Sequence, residues 1–270
     1  MRRNGENMIE GRITMILAID IGNTNVTIGA FEGEECIFVS RLFTDKSKTA
    51  DEYACDFCNI FALNNVKGSV FSGCVISNVV PEIASAVEEA CEKVTGKTPV
   101  VLGPGVKTGL NILSDDPAQL GADIVAGCVA AKEKYPVPSI VIDLGTATKI
   151  TALDKNGSFV GTVISCGVRV ALDALAGNAS LLTSVKLKAP KHVIGKNTID
   201  CMQSGAVYGT AAMLDGMIER FEDELDEPVK AIVATGGYAK NIVSNCKNEV
   251  TYDPTLVLDG LRMIYEKNKK

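Results

Sequence analysis

The sequence predicts an α/β protein with two similar halves, each built on a mixed sheet and each presenting one anion-facing turn to a shared cleft. Three observations predict it. First, the apolar run Ile16-Leu17-Ala18-Ile19 drives into Asp20-Ile21-Gly22-Asn23-Thr24-Asn25, and β-branched Val26-Thr27-Ile28 follows at once. That is the pattern of a strand, a tight polar turn and a returning strand. Second, Ser139–Asp154 repeats the pattern, with Asp143-Leu144-Gly145-Thr146 lying over Asp20-Ile21-Gly22-Asn23. One Asp-x-Gly at the end of a buried strand is common. Two copies, each with Asn or Thr after the glycine, point to duplication, and their wide separation excludes a short solenoid repeat. Third, helical and strand patterns alternate after three leading strands, which makes the sheet mixed rather than purely parallel.

The turn chemistry suits phosphate. Gly22 permits close backbone approach, so the turn's N–H groups can converge on an anion together with the Asn23 amide and the Thr24 hydroxyl. A carboxylate beside a bare phosphate is repelled. Asp20 is better suited to hold a Mg²⁺, directly or through water, that bridges phosphate oxygens.

The remaining elements follow in order. Cys36–Phe43 reads as a third strand. Thr49-Ala50-Asp51-Glu52 has the form of a capping box and opens a helix to about Leu63. Ser69–Ser77 is an apolar strand, Pro81 starts a helix that runs to about Val94, and Pro99–Leu102 is a short strand. Gly103-Pro104-Gly105-Val106-Lys107-Thr108-Gly109 is a glycine-rich loop without Walker spacing, and the chain holds no dinucleotide-binding fingerprint. Asp116 suits an N-cap before Pro117, and a helix is expected over Ile124–Lys134. Asp123, just ahead of it, has little capping reason to be acidic. It is either a solvated helical Asp or a general base near the cleft floor, and the residues alone leave both open.

Pro136 and Pro138 mark a boundary, giving expected domains of 15–136 and 137–270. Strands are expected at 139–144, 148–154 and 158–165, followed by helices that include a long one over Cys201–Leu225 after Asn197-Thr198. Val229–Ala234 is a buried strand ending in Thr235-Gly236-Gly237, with a helix from Tyr238 to Ser244. Such a turn accepts an anion or the flat face of a base, or is simply tight. Pro254–Lys267 is the last helix.

Composition excludes several classes. With 46% hydrophobic and 22% charged residues, the 270-residue chain has material for a substantial core. A net charge of −6 argues against a nucleic-acid or anionic-membrane binder, and no apolar run reaches the length of a membrane span. Residues 1–14 are polar and contain Ile9-Glu10-Gly11-Arg12, the form of a protease-processing site, so they are expected to be an extension or tag with Met15 as the start. Nine scattered cysteines suit a reducing, cytoplasmic setting. Cys55 and Cys58 are better read as helix neighbours than as zinc ligands. With His192 as the only histidine, His-dependent nucleophilic catalysis is disfavoured.

The ordered set resembles the type III pantothenate kinases of the acetate kinase/hsp70/actin superfamily. Its members are Asp20–Asn25, Gly103–Gly109, Pro117-x-x-x-Gly121-Ala122-Asp123, Asp143–Thr148, Gly195-Lys196-Asn197-Thr198, Met202–Gly205 and Thr235–Gly237. The resemblance implies two RNase H-like, actin-like domains around an interdomain nucleotide cleft, and ATP-dependent phosphorylation of pantothenate to 4'-phosphopantothenate, the entry to coenzyme A. It implies that Asp20, Gly22, Asn23, Thr24, Asn25 and Thr27 form the Mg²⁺–ATP turn. Thr146, Gly236 and Gly237 would contact ATP, and Asp143 would bind K⁺ or NH₄⁺. Asp123 would be the general base, with Gly121, Ala122, Asp123, Ile124 and Thr198 on the substrate side. It also implies a homodimer whose pantothenate pocket is completed across the interface.

Three departures fall on the acceptor side. Ile124 stands where the family has Arg, Ser114 where it has Tyr, and Cys166–Leu172 lacks a glycine and a Pro-Gly turn. An Arg pairs bidentately with a carboxylate and Ile does not. Arg169 lies close enough in sequence to be a replacement charge. A same-fold kinase for another small alcohol, or a nucleotide-binding paralogue without turnover, fits these departures too.

Overall fold

The computed structural model describes residues 14–179 and 182–269, so the expected extension lies, apart from Thr14, outside the described residues. The first sheet begins with β1 (Met15–Ile21), β2 (Asn25–Glu32) and β3 (Glu35–Phe43), an antiparallel meander. Helix α1 (Ala50–Leu63) leads to β4 (Phe71–Asn78), and α2 (Ala84–Thr95) leads to β5 (Val100–Val101). Strands β4 and β5 join parallel, giving the order β3-β2-β1-β4-β5.

The second half repeats the plan. After α3 (Ala122–Lys134), strands β6 (Ser139–Leu144), β7 (Ala147–Leu153) and β8 (Phe159–Cys166) form another meander. Helices α4 (Val168–Asn178) and α5 (Thr198–Leu225) follow, then β9 (Ala231–Thr235), α6 (Ala239–Val243), β10 (Thr251–Tyr252) and α7 (Leu256–Asn268). The order is β8-β7-β6-β9-β10, with β9 parallel to β6 and β10 parallel to β9, so the two sheets share one topology. This is the expected actin-like α/β architecture.

Alternation along the strands divides the burial. Leu17, Ile19 and Ile21 pack outward under α1 and α2, while Ile16 and Ala18 face α3 and α7. In the second sheet Ile140, Ile142 and Leu144 lie under α5 and α6, while Val141 faces α3. Period-2 strands require this split. Helices α3 and α7 therefore form a wedge between the inner faces of the two sheets. The C-terminal helix packs against the first sheet through Leu258, Leu261 and Ile264.

The wedge is tight. A Cβ added at Gly260 of α7 would come within 1.8 Å of the Ala126 carbonyl oxygen of α3, so only glycine allows this approach. At one end Lys134 Nζ bridges Asp253 (2.6 Å) and Asp259 (2.5 Å), and the Tyr135 hydroxyl donates to Asp253 at 2.9 Å. Removing the cation would leave two nearly buried carboxylates uncompensated. Lys134→Met is therefore expected to lower unfolding free energy by about 2–3 kcal/mol in urea titrations. An unchanged midpoint would show that the bridge contributes nothing.

Local starts and stops largely match the sequence signals. Thr49 and Glu52 form the expected capping box, and Asn197 caps α5 through Asp200 N. Asp116 caps only a 3₁₀ turn, Pro117–Gln119, and Gly68–Val70 is a 3₁₀ turn where a strand start was expected. Helix α3 starts at Ala122, which puts Asp123 in its first turn.

Candidate active site

The site forms where the ends of β1 and β6 meet the start of α3. Asp20 faces Thr27 across the first hairpin and Ser77 on β4. Asp143 holds the equivalent place in the second sheet, facing Lys149 on β7 and Thr235 on β9. Both aspartates point from inner faces toward the wedge. Asp123 enters from the first turn of α3, so duplicated strands and one shared helix bring three carboxylates into one cleft.

Lys149 joins two of them. Its Nζ donates to Asp143 Oδ2 at 2.8 Å and to Asp123 Oδ2 in a shorter contact, and the side chain is only 18% exposed. Burial works against the Lys149 charge, but Asp143 and Asp123 outweigh it and raise the pKa above the ordinary lysine value. The Asp143 carboxyl is raised by burial, with Lys149 opposing and the Asp123 charge adding. The cleft is walled by Ile124, Gly127, Val141, Thr151, Thr235 and Val257.

Asp20 stands apart. Its Oδ1 is buried without a hydrogen-bond partner. Burial first, and then the Asp123 charge, push its carboxyl up to about 7 from an ordinary 3.8, with Ser77 and the Lys149 charge opposing. A buried carboxylate is stabilised by a cation. Mg²⁺ usually takes one or two carboxylates and completes its shell with water and phosphate oxygens, so the orphaned oxygen fits such an ion.

The two hairpin turns meet over this floor. Thr24 Oγ1 and Thr146 Oγ1 lie 2.7 Å apart, one from each half of the chain. Gly22 N donates to Asn25 O at 3.0 Å and Gly145 N to Ala147 O at 3.1 Å, closing both turns, and Asn23, Thr24, Asn25 and Thr146 are exposed. Gly236, at φ +97°, follows β9 and lies against the same spot. A Cβ there would sit 2.6 Å from Leu144 O and 2.7 Å from Asp143 Oδ1. At Gly237 an added Cβ would meet nothing within 4 Å, so this side is open.

Acceptor-side positions divide. Gly121, Ala122 and Ile124 adjoin Asp123; an added Cβ at Gly121 would come within 2.7 Å of Asp123 Oδ1, so glycine gives that carboxylate its room. Ala122 also borders an apolar groove lined by Leu102, Pro104, Val106, Ile112 and Leu120. Thr198 is exposed at the start of α5, and no hydrogen bond links it to the Asp123 group among the described residues. Arg169 is not a free replacement charge: its guanidinium pairs with Asp173 and donates to Val185 O (2.9 Å) and Ser184 Oγ (3.2 Å). Helix α4 projects it that way.

Lys149 is the site residue that sequence reasoning missed. A single lysine in an alternating strand reads as a solvent-facing position. The available signal was register, because Lys149 lies opposite Asp143 as Thr27 lies opposite Asp20. Cys55 and Cys58 are free and exposed on α1, as read from their spacing.

Comparison with known proteins gives the family and the fold. A family model described as type III pantothenate kinase matches residues 16–220. A type III pantothenate kinase of Halalkalibacterium halodurans is 41% identical over 254 residues, which is 94% of this chain and 100% of that protein. One from an Exiguobacterium species is 40% identical over 256 residues, 95% of this chain and all of that one. Among solved structures, the activator of the 2-hydroxyisocaproyl-CoA dehydratase from Clostridium difficile, with bound ADPNP, superposes with a TM-score of 0.57 at 12% identity. The match covers 95% of this chain and 98% of that one.

Proposed function

We propose, from the premise that this chain belongs to the type III pantothenate kinase family and phosphorylates pantothenate on the way to coenzyme A, that transfer takes place where the two hairpin turns meet, with Asp123 as the base. The observation that carries this reading is the convergence of Asp20, Asp143 and Asp123 below the Thr24–Thr146 contact.

ATP phosphates lie against the turn from Gly22 to Asn25 and against Thr146, with Thr27 beside Asp20, and the nucleoside lies toward Gly236 and Gly237. Bound ADPNP in the similarly folded Clostridium difficile activator supports a nucleotide in this cleft. Asp20 would hold Mg²⁺, which would supply neutralisation of the ATP phosphate charge. The acceptor's primary hydroxyl gives its proton to Asp123 as its oxygen attacks the γ-phosphorus. The bond from that phosphorus to the β–γ bridging oxygen breaks and ADP leaves. Such transfer requires positioning and charge neutralisation rather than a covalent intermediate. Lys149 fixes the Asp123 carboxylate for this task.

The acceptor lies along Gly121–Ile124, with its apolar part against the groove that Ala122 borders. Thr198 acts from the partner in a homodimer. The exposed apolar side chains around it support this: Val193 is 64%, Ile194 81% and Ile199 53% exposed. Nine free cysteines support a cytoplasmic setting.

A coupled ADP-release assay with Mg-ATP and pantothenate is expected to show saturable turnover, with 4'-phosphopantothenate as product. Turnover of another small alcohol but not of pantothenate would reject this acceptor.

A further inference from the structure

We infer that the Lys149 ammonium is a tethered monovalent cation, filling the place at Asp143 that a free K⁺ or NH₄⁺ was expected to take. This rests on the cleft being the nucleotide site. A free ion at Asp143 needs carboxylate oxygens open to it. Oδ2 is already taken by Lys149 at 2.8 Å. On the Oδ1 side stand Gly236 and Gly145, neither of which brings a side-chain oxygen to complete the shell of a free ion. A free cation there would be repelled by the ammonium already on Oδ2, so the residues present do not fit one alongside the lysine.

The duplication shows how the lysine comes to be there. In the first sheet the residue opposite the turn aspartate is Thr27, short and neutral; in the second it is Lys149, whose stem reaches back along β7 to the same point. An ammonium carries the charge of K⁺ or NH₄⁺ in a similar volume. Because it is covalently attached, its local concentration does not depend on the surrounding salt. Lysine has three donors, of which Asp123 and Asp143 use two. The third is left for an oxygen of the bound nucleotide, the contact a free cation would make.

A competing role for Lys149 is to meet the acceptor's carboxylate, left without its arginine by Ile124. The ammonium already sits between two carboxylates that more than balance its charge, so a third carboxylate at its free donor would be repelled. The geometry favours the tethered cation.

The test compares activity in choline, sodium, potassium and ammonium chloride at equal ionic strength, with no other monovalent cation present. Wild-type turnover is expected to vary by less than about twofold, whereas a requirement for K⁺ or NH₄⁺ of about tenfold or more overturns the inference. Lys149→Met is expected to lose about tenfold or more in choline and to recover with K⁺ or NH₄⁺. A folded variant that is inactive in every cation, or active in choline, overturns it. So does a variant with raised KM for pantothenate, unchanged kcat and no cation dependence, which would assign Lys149 to the acceptor.

Calorimetric binding of Mg-ADP to the wild-type protein is independent of turnover and of the variant's folding. Equal affinity in choline and potassium supports the tethered cation, and about tenfold tightening by K⁺ overturns it. If pantothenate is not turned over in any salt, the acceptor assignment fails, while the Mg-ADP comparison still decides the role of Lys149.

Discussion

Asp123→Asn is expected to lower kcat for pantothenate phosphorylation by about 10²–10⁴-fold while changing the Kd for Mg-ATP by less than about threefold. The amide has the shape of the carboxylate. Its single oxygen accepts from Ile124 N, as Oδ1 of Asp123 does at 2.8 Å, so the first turn of α3 keeps its geometry, while the Lys149 contact to Oδ2 is lost and Lys149 stays on Asp143. The variant loses the ability to take the proton of the attacking hydroxyl, together with the Lys149 contact. The assay is coupled ADP release for kcat, with calorimetry for Mg-ATP. Retained turnover would remove Asp123 from the mechanism, and a parallel loss of nucleotide affinity would make its role structural. A second readout is independent of activity. The Asp123 charge is, after burial, a cause of the raised Asp20 carboxyl, so Asp20 is expected to titrate below about 7 in the variant when followed by carboxyl NMR.

The duplicated cleft was legible because its signals are local and occur twice. Asp20 and Asp143 each end an apolar strand and precede a glycine turn, and period-2 alternation sends each to the inner face. Caps at Thr49 and Asn197 were legible because side-chain capping has a fixed spacing. What stayed hidden depends on partners far along the chain. The amphipathic pattern of Leu256–Asn268 shows that the helix has a buried face, but not that this face crosses to the first sheet and packs with α3. Gly260 reads as a mild helix weakness until the Ala126 carbonyl is seen against it. Lys149 needs the β6–β7 register to become a site residue. Ile124 read only as a missing arginine, yet in the fold it is an apolar wall of the cleft beside Asp123 and Lys149. Arg169 shows the reverse error, since closeness in sequence suggested a use that the Asp173 contact forbids.

Asp20→Asn is expected to stabilise the nucleotide-free protein while lowering kcat/KM for Mg-ATP by about 10²-fold or more. The sign follows from the raised carboxyl. Its folded value of about 7 lies above the ordinary 3.8, so the folded state binds the extra proton between these limits. The contribution of Asp20 to stability is therefore fully present below about pH 4, lost as pH rises toward 7, and absent above. Asparagine carries no charge at any of these pH values. The variant should exceed wild type by about 1–3 kcal/mol at pH 8, with the gap shrinking toward pH 5, in urea unfolding without nucleotide or Mg²⁺. A gap that is constant with pH would show that the Asp20 charge costs the fold nothing. Addition of Mg-ATP should invert the ranking, because on the proposed role the Asp20 carboxylate then pairs with Mg²⁺ and asparagine does so far less well. On the proposed role of Asp20, the same carboxylate weakens the free protein and holds the cation that comes with ATP. One substitution should move the two properties in opposite directions.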